Sequence, residues 1–413
     1  MLQLVHDELY IDQVSFKSLA EEYGTPLYVY HQPTMQNAVL AYKNAFAALN
    51  PLLCFAVKAN GNLSILRYFA SLGCGFDIVS GGELARVLQA GGQANRVIFS
   101  GVGKSEKEIR FALESGIRCF NVESIAELHR LNDIAGSLKC KAPVSLRINP
   151  DVDAKTHPYI STGLKSNKFG IAYDDALEAY RLANSLPNLD IQGMDCHIGS
   201  QLTDVAPLIE ACERMVRLYD QLVAENINPH HLDLGGGVGI CYQESDHQPD
   251  LSLYADAVKE IIGNRPLSLI LEPGRSLIAK AGVLLTQVEY IKQGEEKNFI
   301  IIDAAMNDLM RPTLYQAYHH IQAATHQTNH EIVADVVGPI CETGDWLGKA
   351  RTLAVQSGDL LVIHDVGAYG ASMASNYNAR CRAAEVMVSG SLKTLIRRRE
   401  TMEDLWRCEV EVE

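Results

Sequence analysis

Between residues 52 and 275 short apolar runs alternate with longer stretches of helical spacing, and this alternation limits the fold more than any other feature of the 413-residue chain. The runs cover 53–58, 75–80, 97–101, 118–122, 143–148, 192–198, 231–235 and 267–272. Runs that are apolar throughout belong to strands covered on both faces, as in parallel sheets. The intervening stretches, such as 82–90, 105–114 and 124–134, carry helical spacing, and Ser105-Glu106-Lys107-Glu108 has the form of a capping box. Eight strand–helix repeats predict an α/β chain built on a (β/α)8 TIM-type barrel; a doubly wound open sheet is the competing arrangement. After about residue 280 the pattern changes. Segments 283–291, 299–303, 332–337, 360–365 and 385–388 are short and strand-like, bounded by Gly, Pro, Asn and Asp, which predicts a mostly β C-terminal domain. The expected division is a barrel over 27–279 and a β-rich domain made of 1–26 with 280–413.

Barrel active sites are built where the strands end. The eight predicted ends carry Lys58, Asp77, Ser100, Asn121, Arg147, His197, the run Gly235-Gly236-Gly237, and Glu272. Lys58 closes the run 52–57 and precedes the turn formers Asn60, Gly61 and Asn62. An amine there suits chemistry with a carbonyl cofactor; the plainer reading is a lysine reaching water where the strand stops. Consecutive glycines let backbone N–H groups turn toward a phosphate, and their spacing is not that of a dinucleotide fingerprint. A carboxylate such as Glu272 can hold a cationic ring nitrogen, Gly274 adds a backbone donor, and a surface pair of Glu272 with Arg275 is the alternative. His197 suits a base, a flat stacking partner or a satisfied core histidine. No second ligand stands beside it, so no metal is expected. The long gap after the fifth run holds His157-Pro158-Tyr159-Ile160-Ser161-Thr162-Gly163 and Ser166-Asn167-Lys168-Phe169-Gly170, a polar insertion of the kind that forms functional loops.

A net charge of −14 argues against nucleic acid or an anionic membrane as partner, while leaving room for a local basic pocket. The first residues have no basic, apolar leader pattern, and no run of 18 apolar residues predicts a membrane span. The ten cysteines are scattered without C-x-x-C spacing, and Cys54, Cys119 and Cys196 lie inside apolar runs, as expected of a reducing, cytoplasmic setting.

Lys58, His197-Ile198-Gly199-Ser200, Gly235-Gly236-Gly237 and Glu272-Pro273-Gly274-Arg275, in this order, resemble the barrel-type pyridoxal-phosphate decarboxylases, a group that includes the ornithine and arginine decarboxylases. Three further segments are similar to the diaminopimelate decarboxylase branch: Met306-Asn307-Asp308-Leu309-Met310-Arg311-Pro312-Thr313-Leu314-Tyr315, Gly338-Pro339-Ile340-Cys341-Glu342-Thr343-Gly344-Asp345, and Asp365-Val366-Gly367-Ala368-Tyr369-Gly370 followed by Ala374-Ser375-Asn376-Tyr377-Asn378. The likeness runs from Gly24 to Val386. Thr343 stands where the family often has Ser, and Arg380-Cys381-Arg382-Ala383 replaces a stretch that usually contains proline.

The resemblance implies pyridoxal 5'-phosphate as cofactor, anchored by Lys58 and bound by Asp77, His197, Ser200, Gly236, Gly237, Glu272, Gly274, Arg275 and Tyr369. It implies Lys58, His197 and Cys341 as catalytic residues, with Cys341 the proton donor after CO2 leaves, since a thiol is mostly protonated at neutral pH. Arg275, Arg311, Tyr315, Glu342 and Tyr369 are implied substrate contacts. The arginines would meet a distal carboxylate and Glu342 a distal ammonium. The implied reaction is decarboxylation of meso-2,6-diaminoheptanedioate, a small-molecule amino acid, by a homodimer with shared sites. Another basic amino acid or a carboxylated polyamine (ornithine, arginine, carboxynorspermidine) is the alternative. A racemase is disfavoured because Glu272 at the ring nitrogen deepens the electron sink that decarboxylation uses.

Overall fold

A computed structural model describes residues 1–153, 168–325 and 330–410. The chain divides into two compact units: Ala38–Cys241 with Asp246–Ser276, and Met1–Asn37 with Tyr242–Ser245 and Leu277–Glu413.

The first of these is a closed barrel. Its strands are β1 (Leu52–Ala56), β2 (Gly75–Ile78), β3 (Val97–Phe99), β4 (Cys119–Val122), β5 (Ala142–Asn149), β6 (Leu189–Asp195), β7 (His231–Asp233) and β8 (Ser268–Leu271). All pair in parallel in chain order, and β8 returns to β1 through Ile270 opposite Leu52 and Leu271 opposite Leu53. Closure decides against the open sheet: each of the eight strands is paired on both sides. A two-residue strand, Ile171–Ala172, adds to the end of β5. Each of the eight predicted runs overlaps one strand, because strands buried on both faces leave a continuous apolar signature. Cys54, Ile98, Cys119 and Ile270 form one cluster inside the unit, with cysteine acting as a small apolar residue.

Local signals set the helices around the barrel. The helix Glu106–Ser115 begins with the expected capping box, Glu108 N donating to Ser105 Oγ and Ser105 N to the Glu108 carboxylate. After β5 the segments His157-Pro158-Tyr159-Ile160-Ser161-Thr162-Gly163 and Ser166-Asn167 of the expected functional loop lie outside the described residues. No helix among the described residues is long and apolar enough to cross a membrane.

The other unit is mostly β. Gly282–Lys292 is its central strand, paired with Asn298–Ile302, Leu360–Ile363 and Leu27–His31. Leu27–His31 also pairs in parallel with Ala384–Ser389. The strand Leu27–His31, expected in the barrel, instead has its strand partners in the β sheet, and its unit runs on to Asn37. Its residues Leu27 and Val29 are packed with Val283, Leu285, Val362, Val386 and Phe16 in one core. Trp346–Ala354, Ile321–Ala323 and Leu392–Arg397 are strands the sequence pattern does not reveal.

Candidate active site

Lys58 does not end β1. It sits in a single 3-10 turn, Val57–Ala59, just beyond it. The turn is stopped by two asparagines. Asn60 Oδ1 accepts from Asn62 N at 3.0 Å, and Asn62 Oδ1 caps the next helix by accepting from Ser64 N at 2.9 Å. The lysine is thereby held at the strand end with 41% of its side chain exposed, its Nζ 3.5 Å from Asp77 Oδ2 at the end of β2. Asp77 itself is buried.

Three loops meet around His197. The glycine run after β7 lies against the end of β8: a Cβ on Gly236 would stand 2.4 Å from the Glu272 carbonyl oxygen. Gly237 has φ +106, open to glycine at little cost. Gly236 N donates to His197 Nδ1 at 3.2 Å, which makes Nδ1 the acceptor and leaves the ring proton on Nε2. Burial, then the charges of Arg147 and Lys58, hold this imidazole well below its usual pKa, so it is neutral and flat. Arg275 Nη2 donates to Ser200 Oγ at 3.1 Å, linking the loops after β6 and β8. Gly274 lies close to Ala56 and Ala59, where a Cβ would meet both at 3.0–3.1 Å.

Beneath these loops is a set of buried acids. Asp195, Asp233 and Glu272 each offer a carboxylate oxygen within 4.8 Å of the others. Burial raises all three pKa values, Asp233 to about 6, and their mutual repulsion adds to the rise in Glu272. Nearby cationic and polar groups compensate in part. Arg147 pairs with Glu123 at 2.8 Å and approaches Asp195 at 4.0 Å, while Asn121 Nδ2 lies 3.4 Å from Glu272 Oε1. Such a set favours one more cation, and a protonated ring nitrogen against Glu272 would supply it. The spacing would also admit a metal ion, which the sequence does not reveal because the three acids stand on or just after three different strands. Asp195, Asp233 and Glu123 are site residues that the sequence pattern does not single out; an acid inside or beside a strongly apolar run is the signal it offers.

In the β-rich unit the three decarboxylase-like segments are stitched together. Asp345 receives Met306 N and Ile340 N, both at 2.7 Å, one on each carboxylate oxygen. Thr313 Oγ1 donates to Gly344 O at 2.7 Å, and Cys341 N to Asn378 Oδ1 at 3.1 Å. Tyr377 donates its hydroxyl proton to Glu342 at 3.0 Å. Cys341 and Glu342 are exposed, Tyr369 is half-buried with φ 57, and Arg311 is buried at the head of the helix Arg311–Tyr315, which ends in the half-buried Tyr315.

Burial also pushes Asp308 up to about 7, against the pull of the Ala305 amide on its carboxylate. The native chain then holds a proton between pH 4 and 7 that the unfolded chain has released. Stability falls as pH rises through that window, by up to about 1.4 kcal/mol per pH unit. Asp308→Asn should remove this slope and gain melting temperature over the parent at pH 8 more than at pH 5. An equal difference at both values would refute the assignment.

An exposed amine beside a carboxylate, glycines open to an anion, a neutral flat imidazole and buried acids short of a cation fit the functional groups of pyridoxal. The model of the pyridoxal-binding domain of pyridoxal-dependent decarboxylases matches residues 33–279, and the chain belongs to that class. It is 67% identical over 395 residues to the diaminopimelate decarboxylase of Neisseria meningitidis serogroup B, covering 96% of this chain and 95% of that one. It is 55% identical over 403 residues to the enzyme of the same name from Vibrio cholerae, covering 97% and 96%. Among solved structures, diaminopimelate decarboxylase from M. jannaschii in complex with L-lysine superposes with a TM-score of 0.95 at 41% identity, covering 100% and 98%. This chain is a member of the diaminopimelate decarboxylase family.

Proposed function

We infer that the protein removes CO2 from meso-2,6-diaminoheptanedioate to give L-lysine, the last step of lysine biosynthesis, with pyridoxal 5'-phosphate as its cofactor. The observation that carries this reading is 67% identity along 96% of the chain. When bound, the cofactor supplies the electron sink for the pair left behind by CO2. The chain's own residues do the rest. Lys58 would anchor the carbonyl end, with Asp77 beside its Nζ. Glu272 would keep a proton on the ring nitrogen, and His197 would serve as the flat partner of the ring. Gly236, Gly237, Gly274 and Ser200 would hold the phosphate through N–H and hydroxyl groups, with Arg275 and Tyr369 contributing.

Arg275, Arg311, Tyr315 and Tyr369 bind the substrate, with the arginines on its distal carboxylate and Glu342 on its distal ammonium. Cys341 returns a proton to the carbon that has lost CO2. The protein works as a homodimer in which the Cys341 segment of one subunit completes the site of the other. Ornithine carries the distal ammonium without the carboxylate, so it would forgo the charge-assisted contacts to the arginines at a cost of several kcal/mol.

The test is CO2 release from the diaminopimelate isomers, L-ornithine and L-arginine. The meso isomer should exceed ornithine by at least about a thousandfold in kcat/KM. Turnover of ornithine or arginine in place of diaminopimelate would overturn the reading.

A further inference from the structure

Arg311 is held by two aromatic neighbours. Its Nη1 lies 2.8 Å from His319 Nε2, and its guanidinium carbon lies 4.7 Å from the centre of the Tyr242 ring. His319 is fully buried and meets Tyr242 edge to face, with centroids 5.4 Å apart at 80°. Guanidinium has no lone pair to give, so His319 Nε2 must be the acceptor. On the other side of the ring, Nδ1 lies 2.8 Å from the carbonyl oxygen of His364, which can only accept. That contact puts the proton on Nδ1. Two independent contacts thus assign the same neutral tautomer. The backbone around the histidine is pinned as well: its carbonyl accepts from Arg351 Nη2 at 3.0 Å, and His364 N donates to His320 O at 2.9 Å.

We propose that His319 is a positioning residue for substrate binding, which aims the Arg311 guanidinium while adding no negative charge of its own. The inference rests on the reading of Arg311 as the holder of the distal carboxylate. An aspartate or glutamate at this position would also orient the arginine. It would do so as an ion pair, and the substrate carboxylate would then have to compete with it. Imidazole supplies the direction without that competition. A proton on Nε2 would set N–H against N–H at 2.8 Å, so the carbonyl of His364 also serves to keep the ring in its accepting form.

L-Lysine and 1,5-diaminopentane differ by one carboxylate, and the ratio of their dissociation constants for the holoenzyme, read from cofactor absorbance, reports the grip on that carboxylate. Wild type should favour lysine, and Arg311→Met should cut the preference by at least about tenfold. His319→Gln keeps a neutral acceptor where Nε2 stood and should hold the ratio within about threefold of wild type. His319→Glu keeps an acceptor but adds charge, and should cut the ratio by at least about tenfold while leaving diaminopentane binding unchanged. In turnover the same variant should raise KM with little change in kcat.

A wild-type ratio in His319→Glu, or an equal loss in His319→Gln, would overturn the proposal. If the glutamate variant fails to fold, His319→Asn decides. Its shorter side chain falls short of Arg311, so the ratio should drop while His319→Gln retains it, and equal ratios would refute the positioning role. An unchanged ratio in Arg311→Met would instead remove the underlying reading of Arg311.

Discussion

Lys58→Ala should fold, keep the circular dichroism of the parent and lose decarboxylation by more than about a thousandfold. The lysine stands outside the strand, in a turn stopped by Asn60 and Asn62, so its removal leaves β1 and the following helix cap intact. Borohydride treatment of the parent should fix pyridoxyl on the peptide containing Lys58. The same treatment of the variant should leave that peptide unlabelled. The 3.5 Å contact to Asp77 adds a second readout, because the buried aspartate loses its cation. Cofactor affinity in Lys58→Ala should therefore fall further than removal of an exposed surface lysine would explain. Wild-type turnover in the variant, or labelling of a different lysine, would remove Lys58 from the mechanism.

Cys341→Ala should retain cofactor with the parent's absorbance and lose turnover by about a hundred- to ten-thousandfold, the range ascribed to a positioned acid. Its backbone N–H is held by Asn378, and the preceding residue by Asp345, so the segment keeps its shape without the thiol. The variant also tests sharing of sites between subunits. Lys58→Ala and Cys341→Ala subunits, each inactive alone, should recover part of the wild-type rate after exchange, because one of the two sites in a mixed dimer regains both residues. Absence of recovery after verified exchange would mean that each subunit carries a complete site. A wild-type rate in Cys341→Ala would assign the proton to another donor.

The barrel was legible because its strands are covered on both faces and read as uninterrupted apolar runs, and because Ser105 and Glu108 mark a helix start by local chemistry. The loop glycines and Lys58 were legible for a related reason: polar or glycine residues at the end of an apolar run stand out. Asp195 and Asp233 sit within strands, where only the register and tilt of the closed barrel decide that their carboxylates converge with Glu272. Trp346–Ala354 is not legible because Gly348 and the basic residues Lys349 and Arg351 interrupt its alternation, and two register shifts in its pairing with Glu331–Val337 break the period further. His319 had no signal at all. Its partner Arg311 lies eight residues away, and its other contact, His364, on a different strand end.

The strand Leu27–His31 is hydrogen-bonded on one side to Gly282–Lys292 and on the other to Ala384–Ser389, both made long after it. On a ribosome moving at roughly 5–20 residues per second, the second neighbour follows after roughly 20–70 s. The barrel's residues lie between them and can close in the meantime. Synthesis thus imposes a schedule in which an early strand waits for a late one. A ribosome stalled short of residue 384 leaves an apolar strand with one open edge, a nascent chain exposed to wrong edge pairing that a chaperone would prevent.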